Sequence, residues 1–166
     1  MSKIKSKKNN YNKLSQNIRE IIAEEIYKNY FNTRVPNNLS EELAVAEWDE
    51  LKQDFKESNL QQADDILEKL RRFGYKVRKT KNLQISPIVF TMEEIEMMAE
   101  MEHKRWVKER LAKGWKYGEI KDTDNKISPY LIPWSDLSDE IKELDRNPVR
   151  KIPEFLARVN LEVFKD

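Results

Sequence analysis

Cysteine is absent from the 166 residues, which removes disulfides, thiol nucleophiles and thiolate metal sites together. Histidine occurs once, so no His-rich zinc centre can be assembled, and no metal site is expected. No apolar run approaches the ~18 to 20 residues that a membrane span needs, and the N-terminus lacks the hydrophobic centre of a signal peptide. The expected location is therefore cytoplasmic. Neither sign of charge dominates: 31 Lys and Arg against 30 Asp and Glu leave a formal net charge of +1. Without a global field, no partnership with nucleic acid or an anionic membrane is expected. There is no Gly-rich phosphate loop and no Ser-centred elbow, which leaves His103 and Glu102 as the only candidate acid and base. As sequence neighbours on a helix they point about 100° apart, which makes a direct dyad awkward. No cofactor and no enzymatic activity are expected.

What is present is a highly charged chain, with 37% charged and 39% hydrophobic residues. Lys3, Lys5, Lys7, Lys8 and Lys13 face no acid within residues 1–13, which reads as a disordered basic tail. Leu14, Ile18, Ile22, Ile26 and Tyr30 recur at four-residue intervals and predict a first helix capped by Ser15. A second helix is predicted from Ser40 through Ala44, Trp48, Leu51 and Phe55. Ser58-Asn59 predicts a break, with Asn59 and Gln62 in capping positions. A third helix buries Ala63, Ile66, Leu67, Leu70 and Phe73 and stops at Gly74. Tyr75 and Val77 alternate with Lys76 and Arg78 and predict a short extended piece. Thr91 and Glu94 form a capping box, flanked by Phe90 and Ile95 as a staple, for a helix that runs to about Lys113. Ser138 starts another helix. Pro148 suits a first helical position after Asn147, and Pro153 is expected to kink or divide the last helix.

The chain also matches itself. At an offset of 86, Trp48 falls on Trp134, Leu51 on Leu137, Lys56-Glu57 on Lys142-Glu143, Ile66 on Ile152 and Glu68 on Glu154. Leu70, Arg72, Val77 and Lys79 then meet Leu156, Arg158, Val163 and Lys165, making ten identities in 32 ungapped positions. Composition alone would give roughly two. Upstream, at an offset of 76, Glu20, Ala23, Glu24 and Lys28 match Glu96, Ala99, Glu100 and Lys104, and Tyr30 lies on Trp106. The second copy carries ten extra residues between its first two helices, the segment holding Trp115, Tyr117 and Gly118. Two half-sized helical units of this kind should pack against one another about an approximate two-fold axis.

On the helix from Met92, residues Ile95, Met98, Ala99 and Trp106 form one stripe, and Glu102 falls in its middle. A carboxylate there must find a donor, and His103, Arg105 and Arg110 are within helical reach. Glu102 and His103 then read either as satisfied polar groups that fix helix packing, or as part of a small-molecule pocket. In the second reading Trp106, Trp115, Tyr117 and Trp134 supply flat walls, while Arg110 suits a phosphate or carboxylate.

The stretch Met98-Ala99-Glu100-Met101-Glu102-His103-Lys104-Arg105-Trp106, followed by Gly114-Trp115-Lys116-Tyr117-Gly118, resembles the signature of the ryanodine-receptor (RyR) domain: His-x-x-Trp on a helix, then Gly-Trp-x-Tyr-Gly. Lys126 to Leu137 and Lys142 to Arg146 continue that pattern in register. Ser128 stands where the family usually has His before Pro. The resemblance implies a mainly α-helical fold of two RyR-like repeats packed about a pseudo-two-fold, each with a short extended segment after its last helix. Its expected divisions are a basic tail over 1–13, a degenerate repeat over 14–82 and an RyR domain over 83–166. It further implies a non-catalytic module that binds or senses a nucleotide-like small molecule, as bacterial versions are thought to do. In that arrangement Tyr30 and Trp106 approach each other to sandwich a flat ring. The ligand-binding residues expected are Tyr30, Glu102, His103, Trp106, Arg110, Trp115, Tyr117 and Trp134. The other reading is a structural or protein-interaction domain whose aromatics merely pack. The assembly is expected to be a monomer with an internal pseudo-dimer, or a homodimer.

Overall fold

The computed structural model describes residues 11–34, 48–80 and 88–166. Helix α1 (Gln16–Arg34) begins where expected, with the Ser15 hydroxyl accepting from the Ile18 amide at 3.4 Å. Its Ile22, Ala23 and Ile26 are buried against α2 (Gln53–Arg72), which contributes Leu60, Ala63, Ile66, Leu67 and Leu70. Gly74 ends this unit at φ +77°, a conformation that costs glycine nothing, and leads into strand β1 (Lys76–Lys79). The basic tail lies outside the described residues as far as residue 10. Within its last part, Tyr11 donates its amide to the Val77 carbonyl at 2.9 Å and packs on the core.

The break at Ser58-Asn59 does not occur, because α2 runs straight through it. The two side chains at the expected break are engaged elsewhere. The Ser58 hydroxyl donates to Glu109 at 2.6 Å, and the Asn59 amide donates to the Phe55 carbonyl one turn back at 2.9 Å. The interruption lies earlier, at Leu51 and Lys52, after residues 48–50, which are helical. The part of the expected second helix before residue 48 lies outside the described residues.

Helix α3 (Met92–Ala112) opens with the full capping box: Thr91 Oγ1 accepts from the Glu94 amide, and Glu94 Oε1 accepts from the Thr91 amide, both at 3.1 Å. The box satisfies the Thr91 and Glu94 amides, and the Ile95 amide bonds the Thr91 carbonyl at 3.0 Å, which fixes the start of the helix. Gly114 (φ +85°) ends it. The loop beyond is more ordered than its composition suggests. Strand β2 (Lys116–Tyr117) pairs in parallel with β3 (Ile127–Ser128), and Gly118 is required there because a Cβ would overlap Cγ2 of Ile127. A 3-10 turn (Trp134–Asp136) precedes α4 (Asp139–Arg150), whose Ser138 cap accepts from the Ile141 amide at 3.4 Å.

Pro148 sits inside α4 and not at a helix start. Its missing N–H opens the ladder in the last turn, where few further bonds depend on it, and the helix ends at Lys151. Helix α5 (Ile152–Ala157) then starts afresh with Pro153 in its first turn, so the last helix is divided as expected. Strand β4 (Leu161–Phe164) closes the chain against β1. The pair is antiparallel, with Lys76 opposite Phe164, Val77 opposite Val163 and Lys79 opposite Leu161.

The fold is mainly helical, and its order is cyclic: α1 packs on α2, α2 on α3, α3 on α4, and α4 with α5 back on α1. A single core runs through both halves, from Ile22, Ile26 and Leu70 to Met98, Leu156 and Val163. Among the described residues no helix is long and apolar enough to cross a membrane. Thr91→Ala, which removes half of the capping box, is expected to lower stability by about 1 kcal/mol. A urea midpoint that falls while the slope of the transition stays constant would report this.

Candidate functional site

Helix α3 carries four of the eight expected residues, of which Glu102, His103 and Arg110 are buried and Trp106 is half-buried. Glu102 (3% exposed) sits at the α2–α3 junction, where Arg105 grips it with two bonds, Nε to Oε1 and Nη2 to Oε2, each 2.8 Å. Lys69 of α2 reaches Oε1 from the other side at 3.2 Å and also donates to Asp65 at 2.7 Å. Burial is the largest influence on Glu102 and pushes its carboxyl up, but Lys69 and then Arg105 outweigh it and hold the group below the usual range. Two turns on, the Glu109 carboxylate receives Ser58, Arg105 (3.3 Å), Arg110 (3.2 Å) and Lys113 (3.1 Å). Burial again opposes its charge, and the Ser58 bond and the Arg110 cation bring the carboxyl below the ordinary range.

His103 is buried and used from both sides. Its Nε2–H donates to the Ile132 carbonyl at 2.7 Å, and Nδ1 lies 3.8 Å from Asp145 Oδ2 of α4. Its ring stacks on Trp106 (5.9 Å, 25°) and tilts against Trp134 (6.0 Å). Trp134 is itself held: its indole N–H donates to Glu96 at 3.1 Å, and Arg146 binds the same carboxylate through Nε at 2.6 Å and Nη2 at 3.1 Å. Lys142 and Arg146 approach its ring at 5.4 and 5.9 Å. Ser128, in the position of the family histidine, is buried and accepts from the Tyr130 amide at 3.2 Å, a role in turning the chain.

Arg110 points into a cage of rings. Its guanidinium carbon lies 5.1 Å from the Phe55 centroid, 5.7 Å from Trp106 and 5.3 Å from Trp115. Burial is the main influence on it and pulls its pKa down, with Glu109 acting in the opposite direction. At neutral pH the guanidinium keeps its proton. Tyr30 of α1 has a small electrostatic influence on the same charge.

Of the eight expected residues, Glu102, His103, Trp106, Arg110, Trp115 and Trp134 are linked through ring contacts and ion pairs, and Tyr30 joins them at Arg110. Tyr117 is 57% exposed on β2 and makes no ring contact with the others. Trp106 and Tyr30 keep exposed ring surface, whereas Trp115 (8%) is nearly closed. A depression of about 240 Å³ lies elsewhere, lined by Tyr11, Leu67, Leu70 and Val77 among others, and none of the eight faces it. Among the described residues no group of His, Asp and Glu could hold a metal ion.

Lys69, Phe55 and Asp145 touch these residues, and the sequence reading did not place them there. A signal existed for Lys69, which falls on the same face of α2 as Ile66, Leu70 and Phe73. A lone cation in one apolar stripe and a lone anion in another are natural partners.

A sequence model of the RyR domain family matches residues 80–165, just over half of the chain.

Two outcomes test the polar network. Glu102→Ala leaves Lys69 buried beside Asp65 alone and is expected to cost about 3–5 kcal/mol in chemical denaturation. Asp145 is the opposite case. Burial first, and the Glu102 carboxylate second, push its carboxyl well above the usual value. A folded-state pKa raised above the unfolded one means that stability is full below the unfolded pKa and is lost as pH rises through the folded value. Asp145→Asn should therefore melt at or below the wild-type temperature at pH 4 and above it at pH 8.

Proposed function

The chain belongs to the RyR domain family, and on that premise we propose a non-catalytic binding module: two helical copies about an approximate two-fold axis, with one site for a nucleotide-like small molecule. Three observations support the duplicated arrangement. In an antiparallel strand pair, a two-fold axis passes between residues that correspond, and the pair opposite each other in β1 and β4 is Val77 with Val163, related by the offset of 86. Tyr27 meets Trp48 at 5.7 Å and 47°, while their counterparts His103 and Trp134 meet at 6.0 Å and 51°. Lys56 stands over Trp48 at 5.6 Å, as Lys142 stands over Trp134 at 5.4 Å. Two unrelated halves would have no reason to repeat an aromatic pair together with its lysine.

The observation that carries the binding reading is Arg110, a buried guanidinium among three rings, beside the partly exposed Trp106 and Tyr30. Trp106 and Tyr30 are corresponding positions of the two copies. The open part of the Trp106 ring suits stacking against a planar base, and the guanidinium beside it suits the anionic group of the same ligand. Glu102, His103, Trp115 and Trp134 then support the site from behind. The engagement of both His103 nitrogens with the protein favours a structural use of that ring over proton transfer. The interaction-domain reading is favoured by one feature, the closure of Trp115 and Trp134 into packing.

Titration with nucleosides and nucleotides, followed by tryptophan fluorescence and thermal shift, separates the two. A ligand at 100 times its Kd should add about 2.7 kcal/mol to stability. Trp106→Ala should weaken binding by about 1–3 kcal/mol, the usual worth of a base stacked on a ring. No change in fluorescence or melting with any nucleotide at millimolar concentration would leave the interaction reading in possession.

A further inference from the structure

Resting on the binding reading above, we infer that the site takes a ligand with a single phosphate next to its planar ring, a nucleoside monophosphate in class, and gains nothing from further phosphates. The inference comes from how the buried charges are committed. Lys69, Arg105, Arg110 and Lys113 form one connected network with the carboxylates of Asp65, Glu102 and Glu109. One positive charge is left over. Asp145 does not neutralise it, since burial and Glu102 disfavour its ionised form. Asp54 acts on Arg110 but is exposed, so solvent and salt screen it.

The surplus belongs to Arg110. Arg105 is fastened to Glu102 by two bonds, and Lys69, almost fully buried, is shared between Glu102 and Asp65, so either must give up two bonds to turn away. Arg110 differs, because its one ion pair is with Glu109 Oε1, and Lys113 already occupies that oxygen at 3.1 Å. Ser58 and Arg105 hold the other oxygen. A carboxylate has about four lone-pair sites, and all four are in use here. Giving up Arg110 still leaves Glu109 three donors. Among the described residues the guanidinium is thus the buried cation that gives up least on turning to an anion, and its planar fork matches one phosphate through two parallel bonds. Among the described side chains, a second phosphate would meet no other buried cation that lacks a committed carboxylate. Because Arg110 is only 7% exposed and lies against Trp106 and Trp115, engaging it must also alter indole fluorescence.

The wild-type protein, titrated with adenosine, AMP, ADP and ATP and with the guanine series, tests this without any variant. The expected result is that a monophosphate binds at least tenfold tighter than its nucleoside, with the di- and triphosphate within about threefold of the monophosphate. Affinity that climbs again with each added phosphate would overturn the inference while leaving the binding reading standing. Absence of binding by every compound would remove both. In Arg110→Gln, the advantage of the monophosphate over its own nucleoside should disappear, so that the two bind within about twofold of each other. Equal loss for both would mean that Arg110 acts only as packing, and the inference would fail.

Discussion

The buried carboxylate of Glu102, clamped by Arg105 along its own helix and by Lys69 from the neighbouring one, is the tie on which the arrangement rests. It lies where α2 meets α3, and it sets the rotation of α3 about its axis. That rotation turns His103 toward Ile132 and Asp145 and carries Arg110 in among Phe55, Trp106 and Trp115. A buried ion pair contributes little net stability compared with a well-packed apolar pair, but removing either member is severe. Its effect is to make one packing of α2 against α3 far better than its neighbours, because a slipped register would strand a charge.

The proposed duplication makes this visible by contrast. The positions that correspond to Lys69 and Glu102 are Phe155 and Ile26, both buried and apolar. One junction between the copies is therefore oily and the other ionic. An apolar contact tolerates small sliding, whereas the ionic one fixes donors to acceptors within tenths of an ångström. The demanding version is found under Trp106 and Arg110, where aromatic and charged groups have to be held in a set relation. Among the described residues the junction of α1 with α4 and α5 carries no buried ion pair, only the Asn29 amide donating to Asn147 at 2.7 Å and the looser Arg158–Glu25 pair at 3.7 Å.

Much of this could be read from residue order, and the parts that could were local. Ser15, the Thr91 and Glu94 box, Gly74, Gly114 and Ser138 act within a turn of themselves, so short-range spacing locates them. The errors share a cause. Ser58 and Asn59 carry good capping chemistry, yet Ser58 spends its hydroxyl on Glu109, 51 positions away, and no local rule can anticipate that. Pro148 looks like a helix start because the ring suits one, but the end of a helix tolerates it as well. For Glu102 the intrahelical donor Arg105 was foreseeable from spacing, while Lys69, 33 positions away, required the tertiary fold. Tyr117 was drawn in by its motif and stands apart because β2 turns it outward to solvent.

The pairing of β1 with β4 has a consequence for what counts as a unit. The segment recognised by the family runs from 80 to 165 and so begins just past β1. Cut out on its own, that piece would carry β4 without the strand that covers its edge, and Glu102 without the lysine that helps to neutralise it. The stretch that the family model matches is shorter than the stretch over which these contacts are made. Lys69 and Val77, from the less recognisable half, supply an ammonium group and a backbone edge that the better-known half lacks.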